Sequence, residues 1–428
     1  MHKWLPTLVF GVSTGIIGCG SSTPETSNSA GSGGSGVSTG GRASAGSATG
    51  GSATGGSASG GTSSGGTSSG GTSSGGTSSG GTSSGGAATG GNTSGGAPAG
   101  GSGGAAAGGR SSTGGSGGAG GGSAAVPSKG CSVAGGLKAL TTGGTSIANG
   151  LPTSTRLKIT SGGSSREYII DIPADYDPTH PYRLIFSWYQ AYGSNTGNAI
   201  GQYPANNGPN FDAKNYAYFG LRREATAANQ PAIFIAPGGM GNLPWDFTRD
   251  SVLFDDLLAL VNANLCIDES RVFTTGFSFG AMMSYALSIT RQTKLRAAVT
   301  MAAANYNLPG EPKDSNAAPI AYMGITGMSD TQCPWVKDDA AKQGGKYCVL
   351  AHAVDNGCTI PGSIQTTTVG SKKYLCYDFE GCKAGYPVKV CTFDGPHTPS
   401  SVDDGTSTGD DGLKAFVPPL AWKFMAQF

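Results

Sequence analysis

The chain has 428 residues, 76 of them glycine, and its 27 lysines and arginines face 26 aspartates and glutamates. That balance excludes the basic footprint of a nucleic-acid binder or of a protein drawn to an anionic membrane surface, and it leaves a neutral molecule or polymer as the expected partner. The glycines crowd into the first third of the sequence, so the chain has to be read in sections.

Residues 1–17, MHKWLPTLVFGVSTGII, carry Lys3 and then a short apolar stretch. The stretch is well under the roughly 20 residues that span a bilayer and fits the h-region of a signal peptide. It runs into Ile16-Ile17-Gly18-Cys19, which resembles the lipobox of bacterial lipoproteins. That resemblance implies removal of residues 1–18 and lipidation of Cys19, with the lipid anchor as the sole membrane contact. The alternative is an ordinary signal peptide followed by a chance cysteine, and both export the chain. Residues 19–128 are almost entirely Gly, Ser, Thr and Ala, with a GGTSS pentad repeat. So few apolar side chains cannot offset the entropy of ordering a backbone. A disordered tether is expected, with an r.m.s. reach on the order of 60 Å for about 110 residues. Glycine does not fall at every third position, which excludes collagen.

Residues 129–428 form the section able to bury a core, and their length suits one α/β domain. Lys3, Arg42, Arg110 and Glu25 lie before it, leaving 24 basic against 25 acidic residues. REYIIDI (166–172) alternates like an antiparallel strand, while YRLIFSW (182–188) and AIFIAP (232–237) read as buried strands. SVLFDDLLALVNANL (251–265) has helical apolar spacing. RVFTTGF is a strand, GAMMSYALSIT a helix, and LRAAVTMAA and PIAYMGIT are strands. YPVKVCTF is the last strand and PPLAWKFMAQF the last helix. Unbroken apolar strands alternating with helices predict a mostly parallel sheet covered on both faces.

Eight cysteines follow Cys19, namely Cys131, Cys266, Cys333, Cys348, Cys358, Cys376, Cys382 and Cys391. An even number in an exported domain predicts disulfides, with 105 possible pairings. Cys376 and Cys382 bracket the short stretch YDFEG, which a bridge could close. No CxxC pair or Cys/His cluster has zinc spacing, so neither a metal nor another cofactor is expected.

Gly276-Phe277-Ser278-Phe279-Gly280 lies between a strand and a helix. In a parallel sheet such a Gly-x-Ser-x-Gly turn is a nucleophile elbow, whose sharpness demands both glycines. A serine needs a base to become nucleophilic at neutral pH. Of the four histidines, His2 leaves with the leader, His180 precedes the first buried strand and His352 falls in a helical segment. His397 follows the last strand, in a loop where α/β sites are built. Asp330, just past the strand ending near Ile325, is the acid expected to fix the imidazole. Asp338, Asp339 and Asp355 read as solvated charges on or near a helical stretch, and Asp394 as a shaper of the histidine loop. Ser278, Asp330 and His397 then follow α/β-hydrolase order. The oxyanion donors expected are the N–H of Phe279 and, from the loop after RLIFSW, that of Gln190. Trp188, Tyr189, Tyr192 and Trp335 are candidates for an acyl pocket, or for plain packing.

The stretches YIIDIPADYDPTHPYRLIF, CIDESRVFTTGFSFGAMMSYAL, PIAYMGITGMSD, VDNGC and GCKAGYPVKVCTFDGPHTP, with WKFMAQF, resemble the feruloyl esterases and polyhydroxybutyrate-depolymerase-like esterases. The resemblance covers residues 129–428 and implies an α/β-hydrolase with Ser278, Asp330 and His397 as its triad. His-Thr-Pro at the end is nearer the feruloyl esterase branch than the depolymerases, which tend to carry His-Thr-Trp. Two stretches depart from the family pattern: Trp188-Tyr189-Gln190 replaces a usual His-Gly or His-Trp pair, and Gly324-Ile325-Thr326-Gly327 replaces Gly-x-His-Gly. Both affect the expected substrate more than the chemistry. The expectation is a secreted, cell-surface or outer-membrane-anchored, monomeric feruloyl esterase acting on plant cell-wall arabinoxylan. The alternatives are a polyhydroxyalkanoate depolymerase, an acetylxylan esterase, or an inactive polysaccharide-binding surface protein.

Overall fold

Strands whose residues are buried on alternate sides need covering layers on both faces, and three central strands here are buried at every position. The computed structural model describes residues 124–202, 212–312, 318–401 and 414–428. The leader, Cys19 and the tether up to residue 123 lie outside the described residues.

In chain order the elements are α1 (Gly136–Thr141), β1 (Thr145–Ser146), β2 (Ser154–Ser161), β3 (Ser164–Asp171), β4 (Tyr182–Trp188), α2 (Asn195–Ile200), α3 (Ala213–Tyr216), α4 (Leu221–Ala227) and β5 (Ala232–Pro237). There follow α5 (Phe247–Asn264), β6 (Ile267–Phe277), α6 (Phe279–Ser288), β7 (Ala297–Met301), β8 (Ala321–Gly327), α7 (Gly345–Asp355), β9 (Tyr374–Asp378), β10 (Val388–Phe393) and α8 (Val417–Ala426). They form one ten-stranded sheet in the order β1-β2-β3-β5-β4-β6-β7-β8-β10-β9. The six strands from β5 to β10 are mutually parallel, and antiparallel strands extend both ends. This is the α/β-hydrolase architecture expected from the alternation of apolar strands and helices.

Local signals explain the elements around the site. Asp246 caps α5 by accepting from the Arg249 N–H (3.3 Å), and Leu253, Phe254, Leu257 and Val261 turn its apolar face inward. Every residue of α6 is buried, so a helix apolar all round sits inside the protein. Two prolines in the first turn of α8 cost no hydrogen bond there. Packing begins at Val126, whose N–H reaches Asp268 Oδ1 (3.0 Å), slightly before the expected boundary at 129.

The register levels the strand ends. Trp188 pairs with Gly276, Phe277 with Met301, Met301 with Ile325, and Gly327 with Phe393. The C-terminal ends of β4, β6, β7, β8 and β10 therefore finish on one edge, where α/β sites are assembled.

Among the described residues, three disulfides join Cys131 to Cys266, Cys358 to Cys382 and Cys376 to Cys391. The expected Cys376–Cys382 bridge is not among them. Tyr374–Asp378 is a strand rather than a loop, and its register places Cys376 directly opposite Cys391. Cys333 and Cys348 are buried and take part in none of the three bridges.

His352, on α7, lies wholly in the core, its ring stacked on Tyr322 at 4.0 Å. Ser288 Oγ donates to the Tyr285 carbonyl (2.7 Å), so at 2.9 Å it accepts from His352 Nε2. That leaves Nδ1 buried without a partner. Protonating it would bury a charge with nothing to receive it, and burial pushes its pKa down to about 3. The neighbouring Tyr285, Tyr322 and Cys348 are held neutral by burial, which raises their pKa values. The unfolded chain therefore binds the extra proton below about pH 6.5, and the contribution present above that pH is lost as pH falls towards 3. His352→Phe, which keeps a ring in the stack, should remove up to about 1.4 kcal/mol per pH unit from the slope of unfolding free energy in that window. Urea titrations at a series of pH values check this; an unchanged slope would contradict it.

Candidate active site

Between β6 and α6 the chain reverses within one residue. Ser278 adopts φ 55° and ψ −120°, a left-handed conformation that costs an L-residue about 1–3 kcal/mol. Both flanking glycines are sterically required. A Cβ on Gly276 would meet the Gly280 carbonyl oxygen at 2.4 Å, and one on Gly280 would lie 2.0 Å from the Trp188 carbonyl oxygen. The turn is tied down by Ser278 N–H to Met301 O (2.9 Å) and by Met282 N–H to Ser278 O (3.0 Å). Phe279, first in α6, has an N–H with no acceptor inside its own helix. It lies at the positive end of the helix dipole, in the residue that follows Ser278.

The candidate acid and base, Asp330 and His397, come from two loops zipped together. Past β8, Met328 N–H donates to Phe393 O (2.8 Å) and Ser329 N–H to Gly395 O (3.0 Å). β10 lies two strands beyond β7 and three beyond β6, roughly 14 Å at the usual spacing, so its loop must travel back across the end of β8. Gly327 allows that crossing: a Cβ there would stand 2.4 Å from Gly395 O and 2.5 Å from Pro396 O. The loop delivers His397, whose ring packs 4.6 Å from that of Phe277, the residue before Ser278.

Asp330 Oδ2 accepts from His397 Nδ1 at 2.7 Å, with the two side chains 0% and 5% exposed. Asp330 Oδ1 accepts from the N–H groups of Gln332 and Cys333, each at 2.8 Å. A carboxylate fixed by three donors holds the proton on Nδ1 and leaves Nε2 as the basic nitrogen.

The rival groups are placed elsewhere. Asp338 and Asp339 are exposed, and Asp355 ends α7. Asp394 Oδ2 accepts from Lys372 N–H (2.7 Å), and backbone donors lower its pKa, so it shapes the loop. His180 is exposed beside Tyr182.

Gln190 is buried just beyond β4, in a loop whose Trp188 and Tyr189 carbonyls press on Gly280. Trp188 and Tyr189 themselves belong to the packing. Trp188 Nε1 donates to Thr274 Oγ1 (3.1 Å), and Tyr189 packs on Trp245 at 4.7 Å. Trp335 packs, half-buried, against the smaller core under α7. Sequence reasoning missed the loop after β5, residues 238–245, which braces the Gln190 loop. Trp245 Nε1 donates to Tyr189 O (2.7 Å), and Gly239 N–H donates to Tyr189 Oη (2.8 Å). Arg166 holds that brace from below, through Gly238 O and Asp250 Oδ1, both at 2.7 Å. The available signal was Pro237-Gly238-Gly239 at the end of a buried strand.

No family model matches the chain. It is 32% identical over 263 residues to feruloyl esterase C of Emericella nidulans, covering 61% of this chain and 84% of that one. Feruloyl esterase D of Neurospora crassa is 30% identical over 269 residues, 62% and 83% of the two chains. Among solved structures, a ferulic acid esterase aligns with TM-score 0.42 and 11% identity over 64% of this chain and 98% of that one. The feruloyl esterase module from Clostridium thermocellum gives 0.40 and 10% over 65% and 89%.

The contact between Gly280 and the end of β4 makes a sharp expectation. Gly280→Ala should cost about 3 kcal/mol or more, because backbone rather than a pliable side chain must yield. Gly362→Ala, where a Cβ meets nothing within 4 Å, serves as the control and should change stability little. Urea midpoints compare the two; equal midpoints would show that the crossing is looser than described.

Proposed function

The chain belongs to the feruloyl esterase family, and from that premise we propose that it is a serine esterase in which Ser278 is the nucleophile, His397 the base and Asp330 the orienting acid. The observation that carries this reading is the buried Asp330–His397 hydrogen bond, set beside a serine in a left-handed elbow. Ser278 Oγ attacks the ester carbonyl as His397 Nε2 takes its proton. The N–H groups of Phe279 and Gln190 receive the developing oxyanion. His397 then protonates the departing alcohol, leaving an acyl-enzyme. Water, deprotonated by the same nitrogen, attacks the acyl carbonyl and releases the acid and free Ser278.

The proposed substrate is a hydroxycinnamoyl ester on a plant cell-wall arabinoxylan. The family supports the acyl group, and the near-neutral folded section suits an uncharged polymer. Export, a lipid at Cys19 and a long tether would let such an enzyme reach an insoluble polymer from a cell surface.

Ser278→Ala should lower turnover by about a million-fold and abolish labelling by a fluorophosphonate, since only an activated serine reacts. Activity within tenfold of the parent, or labelling that persists at another residue, would sink the assignment. For the acyl group, kcat/KM on methyl ferulate should exceed that on an aliphatic ester of similar size by at least about tenfold. The enzyme should also release ferulate from arabinoxylan and leave a polyhydroxybutyrate film uncleared. Film clearing with little ferulate release would transfer the same residues to a depolymerase.

A further inference from the structure

Large apolar side chains left in water beside an active site call for an explanation, and three meet here. Tyr192, Met240 and Leu243 are 48%, 49% and 55% exposed. They stand on two loops that leave neighbouring parallel strands, β4 and β5. Tyr192 N–H donates to Asn242 O (2.7 Å), and Met240 N–H to Pro244 O (3.0 Å) closes the turn that carries both other residues. The base beneath them is rigid, because Tyr189 and Trp245 are buried and hydrogen-bonded and Arg166 holds Gly238.

The patch adjoins the proposed chemistry. Tyr189, whose carbonyl presses on the elbow at Gly280, lies three residues before Tyr192, at most about 10 Å of chain. The backbone at Tyr192 is itself strained, with φ 60°. Glycine or asparagine would hold that conformation at less cost, and a half-exposed ring returns little packing energy to offset it. Strained residues of this kind concentrate at functional sites.

We infer that Tyr192, flanked by Met240 and Leu243, is a platform that stacks a sugar ring of the neutral polysaccharide carrying the ester. The inference rests on the esterase reading for the placement of that sugar. Two observations choose a sugar over other occupants. Neither loop, YQAYG (189–193) nor GGMGNLPW (238–245), contains a charged side chain, and Arg249, which donates to Pro244 O (2.8 Å), is paired with Asp250 (2.6 Å), so the loops themselves favour a neutral polymer over a charged one. The platform is also open: a sugar covers an aromatic face with its C–H surface while its hydroxyls stay in water, whereas a planar acyl group gains most from enclosure.

The test separates sugar binding from ester cleavage. In a Ser278→Ala background, soluble arabinoxylan in a native gel should retard the protein. Adding Tyr192→Ala should weaken that retardation about tenfold, equivalent to 1.4 kcal/mol, while Tyr192→Phe keeps it within about twofold. With Ser278 restored, Tyr192→Ala should lower about tenfold the ratio of kcat/KM on a feruloylated arabinoxylan oligosaccharide to that on methyl ferulate. The platform is overturned by an unretarded Ser278→Ala protein, by unchanged retardation in Tyr192→Ala, by equal weakening in Tyr192→Phe, or by an unchanged ratio. Failure of the parent enzyme to release ferulate would overturn the ester reading alone, because the gel comparison does not depend on turnover.

Discussion

Of the glycines at the site, Gly280 has the least room for a Cβ, because the Trp188 carbonyl lies against it, and much of the arrangement depends on that contact. The end of β4 can lie across the first turn of α6 only because no Cβ intervenes there. That contact sets where the chain leaves β4, and with it where the buried Gln190 loop begins. It also fixes where the chain must go next, since the loop after β5 can brace Tyr189 only with β4 in this position. The strain at Ser278 persists because β7, β4 and α6 all hold the turn from outside.

A second crossing answers a topological problem. β10 supplies the histidine but lies three strands from the serine, and a side chain cannot bridge that span. Running residues 395–396 over the bare end of β8 closes the gap and stitches two loops into one unit. The Asp330 carboxylate sits at the seam, with every donor it meets supplied by those loops. A fully satisfied buried network of this kind resists small displacements, because any shift leaves a polar group unpaired.

Much of this was legible in the residues. YRLIFSW and AIFIAP match β4 and β5 residue for residue, because strands buried on both faces write themselves as continuous apolar runs. The Gly-x-Ser-x-Gly turn and the scarcity of histidines brought Ser278 and His397 into view. STRLKITS (β2) and YLCYD (β9) were missed because both lie near the sheet's ends and carry polar or half-exposed side chains. The short helices α2 and α3, capped by Ser194 and Asp212, sit in polar sequence with no apolar period to read. Cys376 misled because closeness in sequence was taken for closeness in space, whereas pairing across strands decided its partner. The crossing over Gly327 joins residues far apart in the chain, and no local pattern records it.

The bridge from Cys376 to Cys391 bears on how the molecule behaves among its own copies. β9 is the outermost strand on its side of the sheet, with Tyr374 and Leu375 partly bare. A terminal strand held by hydrogen bonds alone can peel away, template a neighbour's edge or be exchanged between molecules. Here the strand is covalently joined to the one beside it, and an ion pair from Lys389 to Asp378 reinforces the same seam. Exchange of that strand would require breaking a sulfur–sulfur bond, so a dense population of these molecules is protected against strand-swapped assembly along this edge.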